Sequence, residues 1–215
     1  MLTLLALSIN LSGNPEPLGC GAKHQYAVTI SARHGEVLVK ESFSLAKIEE
    51  LAKDLKRSTK HPIFGFYFSG IGYKATVKSS PIDTGDAQAV CSPSTRIHVS
   101  ILADDRTIEL AQELRNTPCL LSLYEAHYRK HALFDDALIE QVANDVYASL
   151  DKALGSSGPA EKTVNPNEEM LVRQKLQQVI GPIIVEANKS RRSMAAQADT
   201  PAEIEHLKHA CDKQL

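Results

Sequence analysis

TPCLLSLYEAHYRKHALFDD, residues Thr117 to Asp136, is the stretch that decides the fold. It reads as the start of a long helix. Thr117 suits the N-cap, and Pro118 fits the first helical position, where a missing N–H costs nothing. His127 and His131 are four residues apart and so project from one side of that helix. At about 100° per residue they share an arc with Leu120, Leu123, Phe134 and Leu138. Glu125, Arg129, Asp136 and Glu140 fall on the opposite side. Both imidazoles are therefore expected to face the interior. Buried ring nitrogens need partners, and a metal ion is one such partner.

The spacing is that of an HExxH zinc helix, in which two histidines bind the ion and the glutamate activates a water. Here it reads His127-Tyr128-Arg129-Lys130-His131, with Tyr128 at the glutamate position. A tyrosine hydroxyl, with a pKa near about 10, is a poor general base at neutral pH. It could still donate a hydrogen bond to a developing oxyanion. Glu125 lies on the polar face and cannot substitute. Asp135 is eight residues from His127, about 12 Å of helical rise, so the three cannot easily share one ion. A third ligand must come from another segment. An HxxxH pair on a helix is also common as a purely structural feature.

The chain has 215 residues, enough for a sizeable core and for one domain or one with an appendage. Its net charge is −2, from 24 basic and 26 acidic residues, with no block of like charge. That balance argues against nucleic acid or an anionic membrane as the main partner. No apolar run is long enough to span a bilayer. The N-terminal MLTLLALSINLSG is a short apolar run without a basic flank. Residues 1–20 are read as a clipped or weak signal segment, with a buried first strand as the alternative. Residues 21–215 then form one domain, sheet-rich over 21–116 and helical over 117–215.

The four cysteines, Cys20, Cys91, Cys119 and Cys211, form no CxxC pair, which argues against a cysteine zinc site. In an exported protein, disulfides are their natural use. Cys91 lies just before a strand and Cys119 in the first turn of the histidine helix, so these two are expected to pair. Closing that loop of about 29 residues would contribute roughly 3–4 kcal/mol. Cys20 and Cys211, near the two chain ends, are the expected second pair. Four reduced, buried cysteines in a cytosolic protein are the alternative.

Along the chain, Tyr26–Ser31 reads as a strand, His34-Gly35 as a turn and Glu36–Lys40 as the returning strand. Ser44 caps a helix of about 13 residues, with Phe43 packing on Ile48. His61–Gly72 is aromatic and glycine-rich. It reads as packed loop and strand, or else as a flexible loop near a cleft. Tyr73–Ser79 and Arg96–Ile101 are strands, and Thr107–Leu114 does not settle between strand and helix. The histidine helix runs to Leu154, before the loop 155–163. Asn165, Pro166 and Glu168 start a third helix, which Gly181-Pro182 should kink. Thr200, Pro201 and Glu203 start a last helix ending at Lys213. The fold class is α+β, an antiparallel sheet packed on the histidine helix with further helices after it.

From Cys91 to the C-terminus, the order CSPSTRIHVSI, AQELRNTPC, histidine helix and ADTPAEIEHLKHAC resembles a bacterial family described as predicted secreted zinc-dependent proteases. The resemblance implies a zincin-like layout, a secreted or periplasmic location, zinc at His127 and His131, and a peptide or protein as partner. The departure is Tyr128, which removes the residue that the family's hydrolysis depends on. Three readings follow. One is a zinc-binding domain impaired or inactive as a peptidase. Another is a working metallohydrolase with a base from another segment. The third is a metal-free structural or interaction protein of the cell envelope.

Overall fold

The computed structural model describes residues 9–10, 25–54, 63–82, 91–155 and 167–211. The strands are β1 (Ile9–Asn10), β2 (Gln25–His34), β3 (Leu38–Phe43), β4 (Gly65–Ile82) and β5 (Cys91–Ala111). The helices are α1 (Leu45–Asp54), α2 (Pro118–Gly155), α3 (Glu168–Ala198) and α4 (Pro201–His209), and a 3-10 turn (Gln112–Asn116) leads into α2. The fold is thus mixed α+β. Chain contacts gather into two compact units. The first is made of Met1–Arg33, Gly72–Leu102 and Ile139–Glu186, the second of His34–Ile71, Ala103–Leu138 and Ala187–Leu215.

The strand order is β1-β2-β5-β3, with β4 also paired to β5. β1 runs antiparallel to β2, with Ile9 opposite Ile30, so part of the expected signal segment is a strand. β3 runs parallel to β5, with Leu38 opposite Thr107 and Val39 opposite Ile108. The expected antiparallel sheet is corrected to a mixed one. The hairpin expected at His34-Gly35 does not form, because β5 lies between β2 and β3. Parallel neighbours need a long connection, and α1 and β4 lie in sequence between β3 and β5. Gly35 is spent instead on β5, its N–H donating to the Ala103 carbonyl at 2.9 Å.

The first unit buries Ile97, Val99 and Ile101 of β5 with Leu150 of α2 and Leu176 and Ile180 of α3. The second unit holds the histidines. Its core joins Ile48 and Ala52 of α1, Phe66 and Tyr67 of β4, and Ile108 and Leu110 of β5 to Tyr124, Tyr128 and Ala132 of α2 and Leu207 of α4. Ser44 caps α1 as expected, its Oγ accepting from Lys47 N at 3.3 Å, and Phe43 packs in the same cluster as Ile48. Residues 55–62, including the expected end of that helix, lie outside the described residues. So do Cys20 and the Asn165-Pro166 helix start.

α2 runs 38 residues without interruption. Thr117 takes a different role from the one expected. Its carbonyl accepts from Leu121 N at 3.0 Å, while its hydroxyl donates to Leu114 O at 3.3 Å instead of capping. α3 continues through Pro182 without a break. Among the described residues no helix is long and apolar enough to cross a membrane.

Both expected disulfide pairings are corrected. Cys119 bonds Cys211, with Cα atoms 6.0 Å apart, inside the second unit. With Cys119 bonded to Cys211, it cannot also pair with Cys91. With Cys211 taken, a Cys20–Cys211 bridge is also excluded.

Candidate metal centre

The histidine face of α2 follows from the helical period. His127 and His131 are 4% and 5% exposed, whereas Leu133 is 65% exposed and Ala126 lies in solvent. Tyr124, Tyr128, Ala132 and Asp135 share the buried side. The two Nε2 atoms stand 3.4 Å apart and aim at one point.

Asp199 fills that point. It sits between α3 and α4, just before Thr200, whose Oγ1 accepts from Glu203 N at 3.2 Å and caps α4. The capped turn directs Asp199 towards α2. Its Oδ1 lies 3.0 Å from His127 Nε2 and 3.0 Å from His131 Nε2. Burial would raise the Asp199 carboxyl. The hydrogen bonds and charges of His127 and His131 outweigh it and hold the group well below the usual carboxylate range.

The donors suit zinc. Tetrahedral zinc, bound at about 2.0–2.1 Å by nitrogen and oxygen, sets its donors roughly 3.3–3.4 Å apart. The Nε2–Nε2 edge already has that length, and the two edges to Asp199 are 3.0 Å. His127, His131 and Asp199 are the described residues whose ligand atoms gather within 4.8 Å of one another. Three protein donors leave a fourth position open.

Tyr128, the residue at the motif's glutamate position, faces the sheet. Its hydroxyl donates to the Gly65 carbonyl at 2.6 Å, and its ring meets His127 edge-on at 5.1 Å. Gly65 permits this close approach. A Cβ there would lie 2.5 Å from Glu109 O and 3.0 Å from Tyr128 Cε2. The hydroxyl is committed to the strand.

Asp135 does not join the trio, in keeping with the helical rise. Fully buried, it accepts from the Tyr67 hydroxyl at 2.7 Å. Arg106 donates to that hydroxyl through Nε at 3.1 Å and to Ala132 O through Nη2 at 2.7 Å. Its Nη1 reaches Asp136 Oδ1 at 2.9 Å. Asp136, expected on the polar side, is thus half-buried in an ion pair. Burial raises the Tyr67 hydroxyl above its ordinary pKa, and Asp135 adds to the rise while Arg106 opposes it. This network braces the His131 turn of α2 from β4 and β5.

Glu203 is the second acid that spacing missed. Its Oε1 accepts from Lys130 Nζ at 2.9 Å and stands 3.7 Å from His127 Nδ1. The Lys130 hydrogen bond holds its carboxyl below the usual range, against a smaller effect of burial. His127 Nδ1 is buried with no hydrogen-bond partner among the described residues. Glu203 belongs to the Thr200-Pro201-x-Glu203 helix-start signature, and Asp199 immediately precedes it. Its capping chemistry was legible, but its direction towards α2 was not.

No family model, characterised protein or solved structure matches the chain.

Proposed function

We propose that this chain is an exported, zincin-like metal-binding domain. His127, His131 and Asp199 hold a zinc ion, and peptide hydrolysis is impaired or lost. The observation that carries the reading is Asp199. A carboxylate from outside α2 stands 3.0 Å from both inward Nε2 atoms, as a third ligand must. A bound zinc supplies Lewis acidity at an open position, where a peptide or protein group is the ligand class implied.

Turnover needs, in addition, a base beside that open position. Position 128 carries no carboxylate, and its hydroxyl is held by Gly65. Glu203 approaches Nδ1 of His127, the ring nitrogen other than the one that meets Asp199. These placements favour binding over catalysis. The Cys119–Cys211 bridge is compatible with a secreted or periplasmic location, where disulfides persist. The likeness of the 91–215 segment order to secreted zinc-dependent proteases points the same way.

The metal-free reading has one observation in its favour: Asp199 also satisfies both imidazoles as a simple hydrogen-bond and ion-pair partner. Metal analysis of the purified protein, with zinc titration against a chromophoric chelator, separates the two. The wild type should take up about one equivalent of zinc, as a single three-donor site allows. His127→Ala and Asp199→Asn should lose it. A wild type that binds none would overturn the metal reading. Chelator-sensitive cleavage of an unstructured protein by the wild type would overturn the loss of hydrolysis.

A further inference from the structure

Resting on that metal reading, we propose that Glu203 is a positioning residue for the centre. It accepts a hydrogen bond from Nδ1–H of His127 and so fixes the tautomer that offers Nε2 to the ion.

A ligating imidazole presents a bare nitrogen to the metal, so its remaining proton sits on the other nitrogen. For His127 the ligating atom is Nε2, since that atom meets Asp199 and His131. Its proton therefore belongs on Nδ1. That nitrogen is buried and has no hydrogen-bond partner among the described residues. A buried N–H needs an acceptor.

The acid beside it is Glu203, with Oε1 at 3.7 Å. An approach of under about 1 Å would make a charge-assisted hydrogen bond of ordinary length. The neighbouring acids are engaged elsewhere: Asp199 at the Nε2 side, and Asp135 with Tyr67. Lys130 Nζ, 2.9 Å from the same Glu203 oxygen, tethers the carboxylate beside α2. Position also matters. Glu203 is the third residue of α4, where a capping-box glutamate would turn back to the cap's own N–H. Its side chain extends to Lys130 and His127 instead. Lys130, Glu203 and His127 thus form a line that ends at the ligand.

The test measures zinc affinity by chelator competition on wild type, Glu203→Ala, Glu203→Gln and Lys130→Met. Loss of a carboxylate behind a histidine ligand typically costs about 10–100-fold in affinity, and Glu203→Ala should show that loss. Glu203→Gln keeps an oxygen that accepts from Nδ1–H and should stay within a few-fold of wild type. Lys130→Met should also lose only a few-fold. Long-range 15N–1H spectra of the zinc-loaded wild type should show His127 protonated at Nδ1.

Zinc binding by the wild type with equal affinity in Glu203→Ala would overturn the role of Glu203 and leave the metal reading standing. Equal losses in the Ala and Gln variants, with lowered melting of the metal-free proteins, would overturn it in favour of a role in starting α4. An unprotonated His127 Nδ1 in the loaded wild type would overturn it whatever the folding of the variants. A wild type that binds no zinc would overturn both.

Discussion

Replacing Cys119 and Cys211 with serine should destabilise the protein by about 3–5 kcal/mol. The bridge spans a sequence separation of 92. In the chain-entropy treatment a loop of that length removes roughly 15–16 cal/mol/K from the unfolded chain, about 4.6 kcal/mol at 25 °C. Relief of any native strain would reduce that figure. For a chain of this size each kcal/mol moves the melting temperature by about 2–4 °C, so the expected fall is on the order of 10 °C or more. The assay is urea unfolding followed by far-ultraviolet circular dichroism and tyrosine fluorescence, since the chain has six tyrosines and no tryptophan. A chelator should be present throughout, so that metal linkage does not add to the wild-type value. Cys119→Ser and Cys211→Ser should each lose as much as the double variant, because either removes the whole bridge. A loss under about 1 kcal/mol, or additive single losses, would refute the reasoning that this bond is the covalent closure of the second unit.

Tyr124 gives a prediction in alkali. Burial pushes its hydroxyl up to about 12, and that hydroxyl has no hydrogen-bond partner among the described residues. The folded pKa is raised, so the associated stability is whole below the unfolded value near about 10 and is lost as pH rises towards the folded one. Wild type should lose on the order of 2–3 kcal/mol relative to Tyr124→Phe between those limits. At pH 7 the variant should be neutral or slightly more stable, having no buried hydroxyl to satisfy. Stability curves that stay parallel up to pH 12 would count against the assigned burial. Gly65→Ala sets a Cβ 2.5 Å from the Glu109 carbonyl and should cost roughly 1–3 kcal/mol in the same denaturation assay. An unchanged midpoint would mean that β4 does not approach β5 and Tyr128 as closely as described.

The helical half was legible because its signals are local. A 3.6-residue period placed His127 and His131 inward, and a Thr-Pro-x-Glu start placed α4. The sheet was less legible for a specific reason. Along β5 alternate positions are buried at Thr95, Ile97, Val99, Ile101 and Ala103, and then at Arg106, Ile108 and Leu110. The alternation changes phase at Asp104 and Asp105, where Asp105 takes φ 56°. An extra residue of this kind re-aims the side chains after it. It breaks one 21-residue strand into two patterns that look unrelated, which is why Arg96–Ile101 read as strand and Thr107–Leu114 did not. The same slip brings Arg106 inward to Tyr67 and Asp136. The parallel β3–β5 pairing and the Cys119–Cys211 bridge both join residues far apart in sequence. Neighbour-to-neighbour reasoning favours a hairpin and a short disulfide loop, and fails at both.

Tyr128 is the residue on which the functional reading turns, and its setting explains more than a missing base. A glutamate in an HExxH helix needs its carboxylate beside the open coordination position. Here the side chain at position 128 ends 2.6 Å from the Gly65 carbonyl. That carbonyl accepts hydrogen bonds, so it suits a hydroxyl donor and opposes an ionised acid. Burying a carboxylate there would cost more than the tyrosine's hydrogen bond contributes. The surrounding strand is therefore matched to tyrosine, and a glutamate at position 128 would forfeit the hydrogen bond to the Gly65 carbonyl. The proposed metal ligands face a different polar environment, made by α2 and the Asp199–Glu203 segment. On the proposed metal reading, binding and water activation are therefore separable. His127, His131 and Asp199 would serve the first, and the packing around position 128 opposes the second.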